Sequence, residues 1–338
     1  MKTLNVGVIG AGRIGKLHAE TMAFRIPGVK VVAISDVNTE EAAALARRCS
    51  VEHSCASHTD ILGRNDIDAV LICSPTNTHA QYIEEASAAG KHIFCEKPVD
   101  LTLARIRSAI GAAEKAGVTL MIGFNRRFDP NFHRIREQVK SGAVGDPHIL
   151  RITSRDPGPP PPSYVRISGG IFLDMAIHDF DMARFIMGSD VVDVFAKGNV
   201  LVDPAIGEAG DVDTALTMLT FANGALGAID NSRKAVYGYD QRVEVFGSAG
   251  MALAANNKLD NASLLDATGE HGALPLHFFM DRYTESYYRE LVAFVDAVRA
   301  GTVPPVTGQD GLLSVAIGLA AKLSLKEGRP VKVSEILA

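Results

Sequence analysis

The sequence predicts an α/β protein in two parts: a doubly wound parallel sheet over residues 1–123, then an α+β region over 124–338 built on a mostly antiparallel open sheet. Three observations predict it. The chain has 338 residues, beyond the length at which one core usually keeps growing. Its first third alternates short apolar strands with helical patterns, the signature of a parallel sheet. After Phe124 the strand pattern changes, and it includes an Asn223-Gly224 pair of the kind that closes a two-residue antiparallel hairpin.

In the first part, strands are expected at 4–9, 31–35, 69–73, 92–95 and 118–123. Asn38 or Thr39 can start a helix over 40–48, and Gly90 can end one over 82–89. In the second part, strands are expected at 148–153, 191–197, 215–221, 225–229 and 242–246, with helices at 130–141, 173–187, 283–299 and 309–325. Residues 157–162 form a proline-rich run, which is extended and stiff and reads either as a rigid arm or lid edge or as a plain loop. No internal repeat is visible.

Composition excludes several classes. A net charge of −5 with scattered Lys and Arg gives no basic field for nucleic acid. Cys49, Cys55, Cys73 and Cys95 form no CxxC pair, and two of them end apolar runs, so they read as reduced thiols in a cytoplasmic protein. The N-terminus enters a strand at once, with no charged leader followed by an apolar stretch, so export by the usual route is not expected. No uncharged run is long and uniform enough to span a membrane.

The run Gly10-Ala11-Gly12-Arg13-Ile14-Gly15 follows the first strand directly, and Asp36 stands twenty-one residues beyond Gly15 at the end of the second. A lone glycine fingerprint is weak, but between a strand and a helix, with that carboxylate, it marks a dinucleotide (Rossmann) site. Gly10 permits the tight turn, Gly12 lets backbone approach a pyrophosphate, and Gly15 lets the helix pack close. Asp36 can accept bonds from both ribose hydroxyls and repels a 2′-phosphate; with no arginine in the next four residues, NAD is favoured over NADP. The bland alternative is a glycine turn beside a solvated aspartate. Ligand crevices in such sheets lie at the carboxyl ends of strands. Ser74, Pro75, Asn77, Glu96 and Lys97 occupy such ends and are expected to border the cofactor.

Asp174, His178 and Asp181 stand at i, i+4 and i+7, which on an α-helix is one stripe roughly 60° wide. A carboxylate one turn before an imidazole can orient it and raise its basicity. An alcohol dehydrogenase needs that arrangement: a base for the hydroxyl proton while the carbinol carbon gives up hydride. The same residues could ligate a hard metal ion, but a nicotinamide makes a metal unnecessary and no further ligand cluster stands out, so none is expected. A solvated helix face is the remaining alternative. Lys97, fixed between a strand end and Pro98, can stabilise a developing alkoxide, although a surface lysine has the same local sequence.

In these residues the chain resembles the glucose-fructose oxidoreductase, inositol dehydrogenase and rhizopine catabolism family, along nearly its whole length. The resemblance rests on residues 10–18, on Glu96-Lys97-Pro98, on 123–130, and on Gly169-Gly170 leading to His178-Asp179; 154–157, 174–188 and 239–247 add more specific similarity. It implies NAD-dependent oxidation of the axial hydroxyl of myo-inositol to scyllo-inosose, with Lys97, Asp174 and His178 as the catalytic set. His178 would be the general base, Asp174 its partner, and Lys97 a bridge between substrate hydroxyl and cofactor ribose. Arg155, Asp181 and Tyr237, with Arg127, are implied as polyol contacts, though Arg127 suits a structural ion pair equally well. The family also implies a homo-oligomer, a tetramer or dimer, formed through the open sheet face, where residues 216–221 are apolar on both sides. Two other readings stay open: a dehydrogenase for another inositol isomer or a sugar, and a dinucleotide-sensing regulator that has lost catalysis.

Overall fold

The computed structural model describes residues 3–338. The chain divides into two compact units, one running to Asn125 and including Tyr287–Val315, the other comprising Arg126–Ser286 and Ala316–Ala338.

The first unit begins β1 (Leu4–Ile9), α1 (Arg13–Arg25), β2 (Val29–Ser35), α2 (Thr39–Arg48), β3 (His53–Cys55), α3 (His58–Leu62) and β4 (Ala69–Ile72). It continues with α4 (Thr76–Ala88), β5 (His92–Glu96), α5 (Leu103–Ala116) and β6 (Leu120–Gly123). The strands pair in parallel in the order β3-β2-β1-β4-β5-β6. Strand order reverses between β1 and β4, and a ligand crevice opens at such a reversal. The central strands are covered on both faces, and every residue of β4 is buried, which explains their unbroken apolar runs. The expected strands all form, and the helix behind Asn38 is capped by that side chain on the Glu40 and Glu41 amides.

The second unit has α6 (Pro130–Lys140), β7 (Pro147–Arg155), α7 (Pro162–Ser168), α8 (Ile177–Met187), β8 (Val191–Asn199), α9 (Pro204–Glu208), β9 (Thr214–Phe221) and β10 (Leu226–Ser232). There follow β11 (Asp240–Gly247), β12 (Gly250–Ala254), β13 (Ser263–Asp266), β14 (Gly269–Gly272) and α10 (Phe279–Arg282). Then come α11 (Thr284–Ala300), which from Tyr287 onward belongs to the first unit, α12 (Gly308–Glu327), which belongs to the second only from Ala316, β15 (Val331–Lys332) and α13 (Val333–Leu337). The seven-stranded sheet runs β12-β11-β7-β10-β9-β8-β15, antiparallel throughout except for β7 with β10. Asn223-Gly224 closes the β9–β10 hairpin, with Gly224 at φ +87°. On β9, Thr217, Leu219 and Phe221 are buried while Leu216 and Met218 face outward. The outward face continues through Ile149, Leu226, Phe246, Met251 and Leu253 as an apolar field.

Three differences from the sequence reading have physical causes. A single boundary at residue 123 does not describe the chain, because Tyr287–Val315 returns to the first unit: Phe294 packs edge-on against Phe94 at 5.8 Å, and the Ile122 amide donates to the Val306 carbonyl at 3.3 Å. The expected helix over 173–187 is split into a π turn, Ile171–Met175, and α8. The proline-rich run ends in α7, with Pro162 at its first turn, where the missing N–H costs nothing. All four cysteines are free thiols, and three rather than two are buried, Cys49 joining Cys73 and Cys95. No helix among the described residues is long and apolar enough to cross a membrane.

Candidate active site

The glycine turn after β1 is built by steric necessity at two positions and by access at the third. Gly10 sits at φ +104°, and a Cβ there would lie 2.6 Å from the Cys73 carbonyl. A Cβ on Gly15 would lie 2.0 Å from the Gly10 oxygen. A Cβ on Gly12 would meet nothing within 4 Å. Gly12 is the N-cap of α1, no side chain caps that end among the described residues, and the first turn carries no acid. Arg13 and Ile14 open the helix. The helix therefore presents the positive end of its dipole to an anion at the open Gly12 backbone.

Asp36 closes the other side of this turn. Its Oδ2 accepts from the Ala11 amide at 2.7 Å and its Oδ1 from the Asn38 amide at 2.8 Å. The carboxylate is thus fixed at the rim of the glycine turn, and each oxygen keeps lone-pair capacity for a ribose hydroxyl. These residues fit a dinucleotide, and the fixed negative charge disfavours a 2′-phosphate.

The ends of β4 and β5 are tied together by a residue the sequence reading passed over. His79 is buried on α4, with Nδ1 2.7 Å from the Pro98 carbonyl and Nε2 2.8 Å from the Ser74 carbonyl. Burial lowers its pKa. Only the pattern of a histidine three residues into a helix that starts at a strand end could have signalled it. Ser74 Oγ pairs with Thr78 Oγ1 at 2.7 Å, Pro75 is the N-cap of α4, and Asn77 is exposed in its first turn. Lys97 is half-buried directly after β5, and its peptide bond to Pro98 is cis. The Glu96 carboxylate, expected at the cofactor, is turned inward: Oε1 lies 2.7 Å from His18 Nε2.

In the second unit, Asp174 stands on the π turn that Gly169 (φ +90°) and Gly170 (φ +79°) introduce. A Cβ on Gly170 would lie 2.6 Å from Asp211 Oδ1, and Asp211 Oδ2 accepts from the Ile171 amide at 2.8 Å. The Ala176 amide reaches back five residues to the Ile171 carbonyl. A Cβ on Gly318 of α12 would lie 2.6 Å from Leu173, so this turn is pressed from outside. Asp174 and His178 are therefore not placed by one α-helical stripe. Asp174 is held by Tyr164, whose hydroxyl donates at 3.0 Å, and by Arg233, which donates from both terminal nitrogens at 3.2 Å. His178 is half-buried in the first turn of α8.

Arg233 is buried and also lies 3.5 Å from Asp156. Burial pushes the Asp156 carboxyl up to about 6, with Arg233 pulling it down and Asp174 pushing it further up. Neither Asp156 nor Arg233 was singled out for chemistry from the sequence. Asp156 directly follows β7, beside the proline run, and its contact partner Arg233 stands seventy-seven residues away.

All four expected polyol contacts, Arg127, Asp181, Arg155 and Tyr237, have protein partners. Arg127 donates twice to Asp181, at 2.8 and 2.6 Å, and both are buried, so that pair satisfies itself. Strand alternation places Arg155 on the opposite face of β7 from Ser154, whose hydroxyl meets Arg126 and Gln241 on the helix-covered side. Arg155 instead bonds Asp230 at 2.6 Å and the Tyr237 hydroxyl at 3.0 Å, and Tyr237 donates to buried Asp240 at 2.6 Å. The Asp230 bond raises the Arg155 pKa, while burial and Asp240 raise that of Tyr237. A second buried pair joins Arg126 to Asp179 at 2.5 Å, with Asn231 donating to the same carboxylate at 2.8 Å.

Comparison with known proteins places these features in a family. Residues 4–124 match the oxidoreductase family with NAD-binding Rossmann fold, and residues 132–253 match the GFO/IDH/MocA C-terminal domain. The chain is 51% identical over 334 residues to a protein of Thermotoga maritima named myo-inositol 2-dehydrogenase, covering 99% of this chain and 100% of that one. A crystal structure of a myo-inositol dehydrogenase from Corynebacterium glutamicum superposes with a TM-score of 0.93 at 38% identity, covering 98% of each chain. The crystal structure of a scyllo-inositol dehydrogenase from Lactobacillus casei, with bound NAD(H) and scyllo-inositol, gives a TM-score of 0.92 at 30% identity, covering 98% of this chain and 100% of that one.

Proposed function

The chain belongs to the GFO/IDH/MocA family of NAD-binding oxidoreductases, and from that premise we propose that it oxidises myo-inositol to scyllo-inosose with Lys97, Asp174 and His178 as its catalytic residues. The enzyme is an NAD-dependent dehydrogenase acting on an inositol CH–OH group. The observation that carries the substrate is the full-length likeness, at 51% identity, to a protein named for myo-inositol.

Bound NAD supplies the hydride acceptor for the carbinol carbon. The residues supply the rest. Residues 10–15 and Asp36 hold pyrophosphate and ribose, with Ser74, Pro75 and Asn77 at the neighbouring strand end. His178 takes the hydroxyl proton as the C–H bond breaks, so the proton stays on the protein while two electrons leave with the hydride. Lys97 holds the reacting oxygen and stabilises its developing negative charge. Asp174, fixed by Arg233 and Tyr164, presents a carboxylate of defined orientation to the imidazole or to a ring hydroxyl. Retention of all three catalytic side chains argues against a sensor that has lost its chemistry.

The first unit is proposed to bind the cofactor, and the second to bind substrate and to assemble the oligomer. The outward sheet face supports assembly, because Leu216, Met218, Leu226, Phe246 and Leu253 all stand exposed on it, and clustered exposed apolar side chains mark interaction surfaces. A homotetramer in the cytoplasm is the reading that fits this face and the four free thiols.

The test is reduction of NAD and of NADP by the purified protein with myo-inositol, scyllo-inositol, D-chiro-inositol and D-glucose side by side. Saturable NAD reduction strongest with myo-inositol is expected. Activity only on another polyol moves the substrate, and no reduction despite NAD binding moves the protein to the sensor class. His178→Ala is expected to lower turnover at least about a hundredfold with NAD binding intact; a loss confined to substrate affinity would make His178 a binding residue only.

A further inference from the structure

Within the first unit, three ionisable side chains meet in the interior where the mechanism uses none of them. His18 comes from α1, Glu96 from the end of β5 and Glu290 from α11, and their ligand-capable atoms lie within 4.8 Å of one another. His18 Nε2 is hydrogen-bonded to Glu96 Oε1 at 2.7 Å, and Glu290 Oε1 lies 4.0 Å from the same nitrogen. The other oxygen of Glu96 accepts from the backbone amide of Lys97 at 3.3 Å. The imidazole is clamped edge-on by Phe94 at 5.2 Å and Tyr287 at 5.7 Å. His18 and Glu290 are fully buried, and neither Glu290 oxygen has a hydrogen-bond partner among the described residues.

We propose that His18, Glu96 and Glu290 form a positioning device for Lys97, in which Glu96 ties the Lys97 amide through His18 to the dinucleotide helix α1 and Glu290 closes the cluster. The inference rests on the reading that Lys97 acts on the substrate hydroxyl. A buried carboxylate is costly unless its bonds return the cost. Besides His18, the hydrogen-bond partner of Glu96 across this turn is the amide of Lys97. Two carboxyls beside one imidazole cannot both ionise without water. Burial, reinforced by Glu96, pushes Glu290 well above the usual carboxylate range. Cys73 and Cys95 also border the cluster, and burial followed by Glu96 pushes both thiols well up, so neither adds a charge. The cluster thus joins β5 to α1 through the His18–Glu96 contact and packs against α11, a buried mount for the residue that follows Glu96.

Single-turnover NADH formation with myo-inositol separates positioning from folding, because the amplitude counts competent sites while the rate constant reports hydride transfer. Glu96→Gln is expected to slow that rate constant about tenfold or more, since misplacement of the order of 1 Å can cost about a hundredfold. Its affinity for NAD, read by fluorescence titration, is expected to stay within about threefold of wild type on the same ground. Glu290→Gln, which keeps shape and a donor, is expected to transfer hydride faster than Glu290→Leu. A Glu96→Gln protein with reduced amplitude and an unchanged rate constant overturns the proposal. Lys97→Ala is run alongside. If it abolishes turnover while Glu96→Gln matches wild type, only the positioning device fails; if it retains full turnover, the Lys97 reading fails and takes the device with it. Activity lost on dialysis against a chelator and restored by a divalent cation would make the cluster a metal site, also overturning the proposal.

Discussion

Arg233 donates from both terminal nitrogens to a single oxygen of Asp174, at 3.2 Å each, while the Tyr164 hydroxyl takes the other oxygen at 3.0 Å. The carboxylate is therefore aimed by a buried cation rather than by helical periodicity. Arg233→Lys keeps the charge but cannot reproduce two converging donors. It is expected to lower kcat about tenfold or more, on the scale of a mispositioned catalytic group, with NAD affinity unchanged. Steady-state kinetics with a fluorescence titration of NAD checks this, and an unaltered kcat would remove Arg233 from the mechanism.

What was legible in the sequence was whatever depends on near neighbours. The strand, glycine turn and terminal aspartate of the candidate dinucleotide site lie within residues 4–36, so their order was legible without distant contacts. The hairpin at Asn223-Gly224 was legible for the same reason. The second unit hid its polar contacts because each joins distant segments: Arg233 with Asp174, Arg126 with Asp179, Arg127 with Asp181. The helical stripe through Asp174 failed because Gly169 and Gly170 set a π turn that periodicity does not encode. Which face Arg155 takes is not legible from its neighbours, because alternate side chains on a strand point to opposite faces.

Asp156 gives a pH signature. Its pKa is about 6 in the folded protein, held up first by burial. An unfolded aspartate titrates near about 3.9. Between these values the folded chain binds a proton that the unfolded chain has released, so this group's contribution to stability falls as pH rises from about 4 to about 6. Asp156→Asn removes that dependence. Its melting temperature relative to wild type is expected to be higher at pH 8 than at pH 4.5, as scanning fluorimetry would show. A constant difference across that range would mean that Asp156 titrates as an ordinary surface acid.

The Arg127–Asp181 pair separates a structural role from a substrate contact. Both are buried and bonded twice to each other. Arg127→Met removes the paired cation from buried Asp181 and is expected to destabilise the fold by about 3 to 5 kcal/mol. The double variant Arg127→Met with Asp181→Leu removes both charges and is expected to recover most of that loss. Urea unfolding of the four proteins gives the coupling. If the double variant is stable but its KM for inositol rises steeply, the pair touches substrate after all.

Gly12 and Gly15 divide binding from folding within one short turn. An alanine methyl at Gly15 would lie 2.0 Å from the Gly10 oxygen, a backbone atom with no room to retreat, so Gly15→Ala is expected to lose soluble folded protein. A methyl at Gly12 meets nothing within 4 Å. Gly12→Ala is therefore expected to fold with a melting temperature near wild type. The methyl would occupy the space where backbone must approach a pyrophosphate, so NAD affinity is expected to fall by tenfold or more, about 1.4 kcal/mol at least. Differential scanning fluorimetry with and without NAD reads both properties at once: the unliganded midpoint reports the fold, and the ligand-induced shift reports the site. Gly12→Ala retaining the full NAD shift would place the pyrophosphate elsewhere and leave Asp36 holding the turn for structural reasons alone.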